Sequence, residues 1–62
     1  DPKYAEGYRA LGYTYLAMRD AERLAKNTAK AGQYDTKARE MVTNLKELGE
    51  NAELLERAVN KP

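Results

Sequence analysis

Residues 6–20 read EGYRALGYTYLAMRD, and the reading of Gly12 within them decides the fold. Its neighbours are good helix formers, yet a glycine inside a helix costs roughly 1 kcal/mol against alanine. Around it Tyr4, Tyr8, Leu11, Tyr15 and Met18 recur at spacings of four and three. At about 100° per residue they fall within roughly 80° of one another. That spacing predicts one narrow buried stripe on a first helix. Glu6, Arg9, Tyr13 and Leu16 fall on roughly the opposite side. Asp1-Pro2 supplies a helix start, with Asp1 as the cap and Pro2 in the first turn.

Composition narrows the class. The chain has 62 residues and no Cys, His, Trp or Phe. Ser and Ile are also absent, and the only prolines stand near the two ends. Ala, Leu, Glu, Lys and Arg dominate, which makes an all-α fold the expectation. One small domain spanning 1–62 is all that this length supports. No disulfide or His/Cys metal site can brace it. The start at Asp1 without Met points to a piece of something longer or a processed product. A net charge of +1 gives no global bias toward nucleic acid or an anionic membrane. No apolar run reaches the ~18–20 residues of a membrane span. Nothing in the sequence speaks to localisation.

Punctuation divides the rest. Two readings stand for residues 3–31. In one the chain breaks near Arg19-Asp20, Asp20 caps a second helix, and 20–31 folds back over the tyrosine stripe. A continuous helix would place Glu22 in the centre of that stripe, which favours the break. In the other a single helix runs to Ala31. Gly32 suits a helix C-cap. A further helix is expected over 34–48, with Tyr34, Ala38, Met41, Val42, Leu45 and Leu48 on one side, ended by Gly49. A short last helix over 52–60 follows, capped by Asn51 and carrying Leu54, Leu55, Ala58 and Val59.

Sliding the chain over itself by 30 residues pairs Tyr4 with Tyr34, Leu11 with Met41, Met18 with Leu48 and Leu24 with Leu54. Two helical hairpins, 3–31 and 33–61, are the expected architecture: four short helices in antiparallel pairs. The alternative is a three-helix bundle with a long first helix.

Tyr8-x-x-Leu11-Gly12-x-x-Tyr15 resembles the first-helix signature of the tetratricopeptide repeat, with tyrosine in place of tryptophan. Pro2, six residues before Tyr8, stands where that family closes the preceding repeat. The resemblance covers about a third of the chain. The remainder departs from it: Thr28 occupies the second helix's aromatic position, Arg19 the turn glycine, and Val42 the place of Gly12 in the second unit. A last repeat with a terminal capping helix has such a pattern, and so does a related α-hairpin.

The resemblance implies a right-handed α-solenoid fragment that binds a protein or peptide as a scaffold or adaptor. It implies a partner groove on the inner face of the first helices, hence Glu6, Arg9, Tyr13 and Leu16, with Arg39, Thr43 and Lys46 from the second unit. Packing of Tyr13 and Leu16 against a neighbouring hairpin is the plainer reading of those two. The alternative function is a helical oligomerisation domain, self-associating through the tyrosine stripe.

Catalysis is not expected. The usual nucleophiles and proton shuttles are missing. Glu47, Glu50, Glu53 and Glu56 read as a solvated helix surface, and no cofactor or metal site is expected. The series Arg19, Arg23, Lys26 and Lys30 reads as a solvated basic stripe, with anion binding as the weaker alternative.

Overall fold

A computed structural model describes residues 2–62, so the expected cap at Asp1 lies outside the described residues. The chain forms three helices, α1 (Pro2–Leu24), α2 (Thr28–Glu47) and α3 (Glu53–Asn60), with no strand among the described residues. At about 1.5 Å per residue α1 is ~35 Å long. It sets the long dimension of a molecule measuring 37 × 18 × 13 Å.

The all-helical class stands, and the count of helices is that of the three-helix alternative. The first helix is longer than the expected break allows but ends at Leu24, short of Ala31. Asp20 lies within α1 and caps nothing. The turn falls at Ala25–Lys26–Asn27. There the Asn27 N–H donates to the Glu22 carbonyl at 2.8 Å and the Lys26 N–H to the Arg23 carbonyl at 3.0 Å. This crossed pair is a Schellman turn. Its left-handed position is held by Lys26, at φ 60°, not by glycine. Asn27 then caps α2, its side chain accepting from the Lys30 N–H at 3.5 Å. Gly32 is inside α2 and terminates nothing.

The second stop is where expected. Gly49 has φ 75°, and the Glu50 and Gly49 N–H groups donate back to the Leu45 and Lys46 carbonyls. α3 begins at Glu53, with Ala52 and not the expected Asn51 in the cap position, though the Asn51 side chain accepts from the Glu53 N–H at 2.9 Å.

α2 returns antiparallel to α1. α3 then runs alongside α1 in the same direction, since Arg9 meets Asn51, Gly12 meets Leu55 and Arg19 meets Val59. The buried cluster takes Ala5 and Leu16 from α1, Ala38, Val42 and Leu45 from α2, and Ala52, Leu55 and Val59 around α3. The buried face of α1 therefore runs through Ala5, Gly12, Leu16 and Arg19. It is rotated by about 90° from the tyrosine stripe, at ~100° per residue. The cause is that α1 has two neighbours. α2 covers it on the Tyr8–Tyr15 side and α3 on the Leu16 side, so the wedge between them is buried. Tyr8 and Tyr15 are half-buried, and Tyr15 stacks on Tyr34 with centroids 6.4 Å apart. Tyr4, expected in the core, is exposed, as are Leu11 and Met18.

The same geometry revises the 30-residue offset. Tyr4/Tyr34, Leu11/Met41 and Met18/Leu48 belong to α1 and α2, antiparallel neighbours in one hairpin. They are not equivalent positions of two hairpins.

Candidate interaction surfaces

Arg19 is 2% exposed and sits at the junction of all three helices. One guanidinium nitrogen donates at 2.7 Å to both the Asp35 carboxylate of α2 and the Val59 carbonyl of α3. The other terminal nitrogen reaches the Ala58 carbonyl at 3.5 Å, and Nε donates to Asp20 at 3.2 Å. The last carbonyls of α3 lack helical partners, and a cation at that end also suits the helix dipole. Asp35 is shared: Arg39 Nε donates to its other oxygen at 2.8 Å and Arg39 reaches the Asn60 side chain at 2.8 Å. Burial pushes the Asp35 carboxyl up. The hydrogen bonds and charges of Arg39 and Arg19 outweigh that and hold it below its ordinary 3.8. No buried side-chain nitrogen or oxygen among the described residues lacks a partner.

The opposite end of α3 is held by Arg9, which donates to the Asn51 carbonyl at 2.8 Å and approaches Glu50 at 3.6 Å. Between the ends Leu55 enters the space left by Gly12. A Cβ at position 12 would stand 2.6 Å from a Leu55 methyl. Lys46 of α2 pairs with Glu56 at 2.8 Å on the outer margin.

The seven residues singled out as a partner groove divide accordingly. Leu16 is buried in the core. Arg9, Arg39 and Lys46 hold α3 or its leading loop. Glu6, Tyr13 and Thr43 are exposed. Tyr13 lines two adjoining grooves beside α3, one of about 300 Å³ with Arg9 and Leu54, and one of about 640 Å³ with Arg23, Leu24 and Lys61. Thr43 lies apart, beside Thr36 and Glu40 on α2. The structure thus fills the seat between α1 and α2 with the chain's own third helix.

The basic series does not form one stripe: Arg19 is buried, Lys26 is in the turn, and Lys30 opens α2. Sequence reasoning missed the buried role of Arg19. The signal was its place seven residues after Gly12, on the same helical face.

A second surface lies on the hairpin's other side. Tyr4, Leu11 and Met18 are 62%, 44% and 39% exposed at seven-residue spacing along α1. The half-buried Tyr34 and Met41 of α2 and the exposed Leu48, its C-cap, follow the same spacing. Seven residues is two helical turns, so each set is a straight row.

Among the described residues no group of three or more His, Cys, Asp or Glu could hold a metal ion. Among the described residues no helix is long and apolar enough to cross a membrane. Compared with protein-family models, curated proteins and solved structures, the chain matches none.

Proposed function

We propose that this chain is a protein-interaction module without catalytic activity, in which the α1–α2 hairpin docks against a helical segment of a protein partner. The observation that supports it most is the open apolar row Tyr4, Leu11 and Met18 on α1, with Leu48 also exposed at the C-cap of α2. Single exposed apolar residues need no explanation, but contiguous rows mark contact surfaces. Two parallel rows at helical spacing suit the ridge-and-groove packing of a further helix. Tyrosine suits such a face, because its ring adds contact area and its hydroxyl stays wet at the rim.

The tetratricopeptide-like reading belongs to the same proposal. A hairpin followed by a helix running parallel to its first member is the arrangement expected of the last repeat and cap of a solenoid. The Tyr8–Tyr15 signature supports it, and in that arrangement a preceding hairpin would lie on the open face. The second reading, self-association, is favoured by the same row, since heptad spacing suits two copies packing helix on helix.

Sedimentation velocity on the chain at micromolar and millimolar concentration separates the two. Concentration-dependent dimerisation abolished by Leu11→Glu assigns the face to a second copy. A monomer throughout leaves the partner reading, tested by selecting helical peptides for binding. Selected peptides that shift the NMR signals of Tyr4, Leu11 and Met18 support it. A monomer for which no selected peptide perturbs these residues overturns the use of this face.

A further inference from the structure

The way α3 is held differs from the way α1 and α2 hold each other. α3 has eight residues, too few to be helical alone. Its buried side chains are Leu55 and Val59, each 2% exposed, with Ala58 half-buried against the same cluster and Ala52 buried at the cap position. Leu55 fills the space beside Gly12, where no side chain of α1 competes. At both ends the grip is on the peptide backbone. Arg9 takes the Asn51 carbonyl, and Arg19 takes those of Ala58 and Val59. A backbone clamp at each end measures the length of a two-turn helix without reading its sequence. The side-chain pairs, Lys46–Glu56 and Arg39–Asn60, lie on the exposed margin. A loop carrying Gly49 in the left-handed region joins α3 to the rest.

From this seat we infer that α3 is an exchangeable occupant of a helix-binding groove, which a partner's helix takes by displacing it. The ligand class is a short amphipathic helix. It carries a leucine and a valine four residues apart, as Leu55 and Val59 are, an acidic residue in its first turn to meet Lys46, as Glu56 does, and another just before the helix to meet Arg9, as Glu50 does. The α1–α2 hairpin is the receptor, and α3 keeps the groove closed in its absence. This groove is distinct from the open face of Tyr4, Leu11 and Met18, so the inference goes beyond the proposed function and stands or falls without it.

Hydrogen exchange by NMR on the full chain is the first test. The Ala58 and Val59 amides are expected to exchange at least tenfold faster than those of Val42 and Leu45, with little dependence on low urea. That marks α3 as a separately opening unit. The second test uses a fluorescent peptide of residues 50–62 added in trans. It is expected to bind the full chain carrying Leu55→Ala and Val59→Ala at least tenfold more tightly than the unaltered chain, whose groove is filled. Exchange of all four amides at one common rate set by global unfolding overturns the inference. So does a doubly substituted chain that loses its α1–α2 helicity, since α3 is then part of one cooperative core. A substituted chain that stays helical yet shows no preference for the peptide overturns it as well. None of these results bears on the open face, whose readout is the Leu11→Glu variant in sedimentation.

Discussion

Three glycines lie within helices, and each has a different meaning. Gly7 and Gly32 have open space where a Cβ would stand. Gly7→Ala and Gly32→Ala are therefore expected to stabilise the chain by about 0.5–1 kcal/mol each, through the unfolded state and helix propensity. Denaturant midpoints read the change. Gly12 has no such room. Gly12→Leu drives a branched side chain into Leu55 and is expected to cost about 2–3 kcal/mol, the range of core overpacking. The expected fault is specific. α3 leaves its seat, so the NMR signals of Leu55 and Val59 move while Tyr15–Tyr34 stacking persists. Gly12 thus admits the third helix.

Arg19 and Asp35 belong to this scale too. Removing a buried donor leaves its acceptors unsatisfied. Arg19→Met leaves Asp35 to Arg39 alone and strands two carbonyls at the end of α3, and a loss of roughly 2 kcal/mol in denaturant unfolding is expected. Lysine would not restore it, having one compact ammonium where the guanidinium serves three helices. The Asp35 carboxyl is held below 3.8 in the folded chain, so the folded state binds its proton less readily than the unfolded one. Its contribution is whole above the ordinary carboxylate range and is lost as pH falls through the lowered value. Asp35→Asn is expected to flatten the fall in stability below about pH 4. A pH series of denaturant unfolding curves, with and without the substitution, checks the sign.

At the scale of elements the turns carry most of the information. Both helix ends use the same crossed hydrogen bonds, but one has Gly49 at the left-handed position and the other has Lys26. A side chain there costs about 1–2 kcal/mol. Lys26→Gly is expected to recover about 1 kcal/mol, seen as a higher midpoint with unchanged slope. The contrast also explains which boundary was legible. Gly49 announces the end of α2. Nothing in Ala25-Lys26-Asn27 announces the end of α1, apart from Asn27, a fair cap that is equally common in turns. Asp20 and Gly32 look like stronger signals. Both fall inside helices because packing overrides local preference over these long segments.

Across the whole molecule, the expected groove and the observed one share residues but not occupancy. Arg9, Leu16, Arg39 and Lys46 are grouped because the tetratricopeptide resemblance implies a groove there. That the surface faces α3 was not legible, because an eight-residue helix gives no sign of which neighbour it will choose. The tyrosine stripe shows the same limit. Its spacing is real, but burial is set by where α2 and α3 lie around α1, not by the apolar residues of α1 alone.

The amino-acid sequence by itself determined the helical class, the stop at Gly49 and the amphipathic short last helix. These are local properties, written in propensity, periodicity and backbone freedom. Only the tertiary structure decided the number of helices, the burial of Arg19, the exposure of Tyr4, Leu11 and Met18, and the identity of the helix seated on Gly12. Those depend on contacts between segments far apart in the chain, and a single helical face cannot specify which partner will cover it. That Gly12, unlike Gly7 and Gly32, is closely approached, and by Leu55 of α3, follows only from the fold.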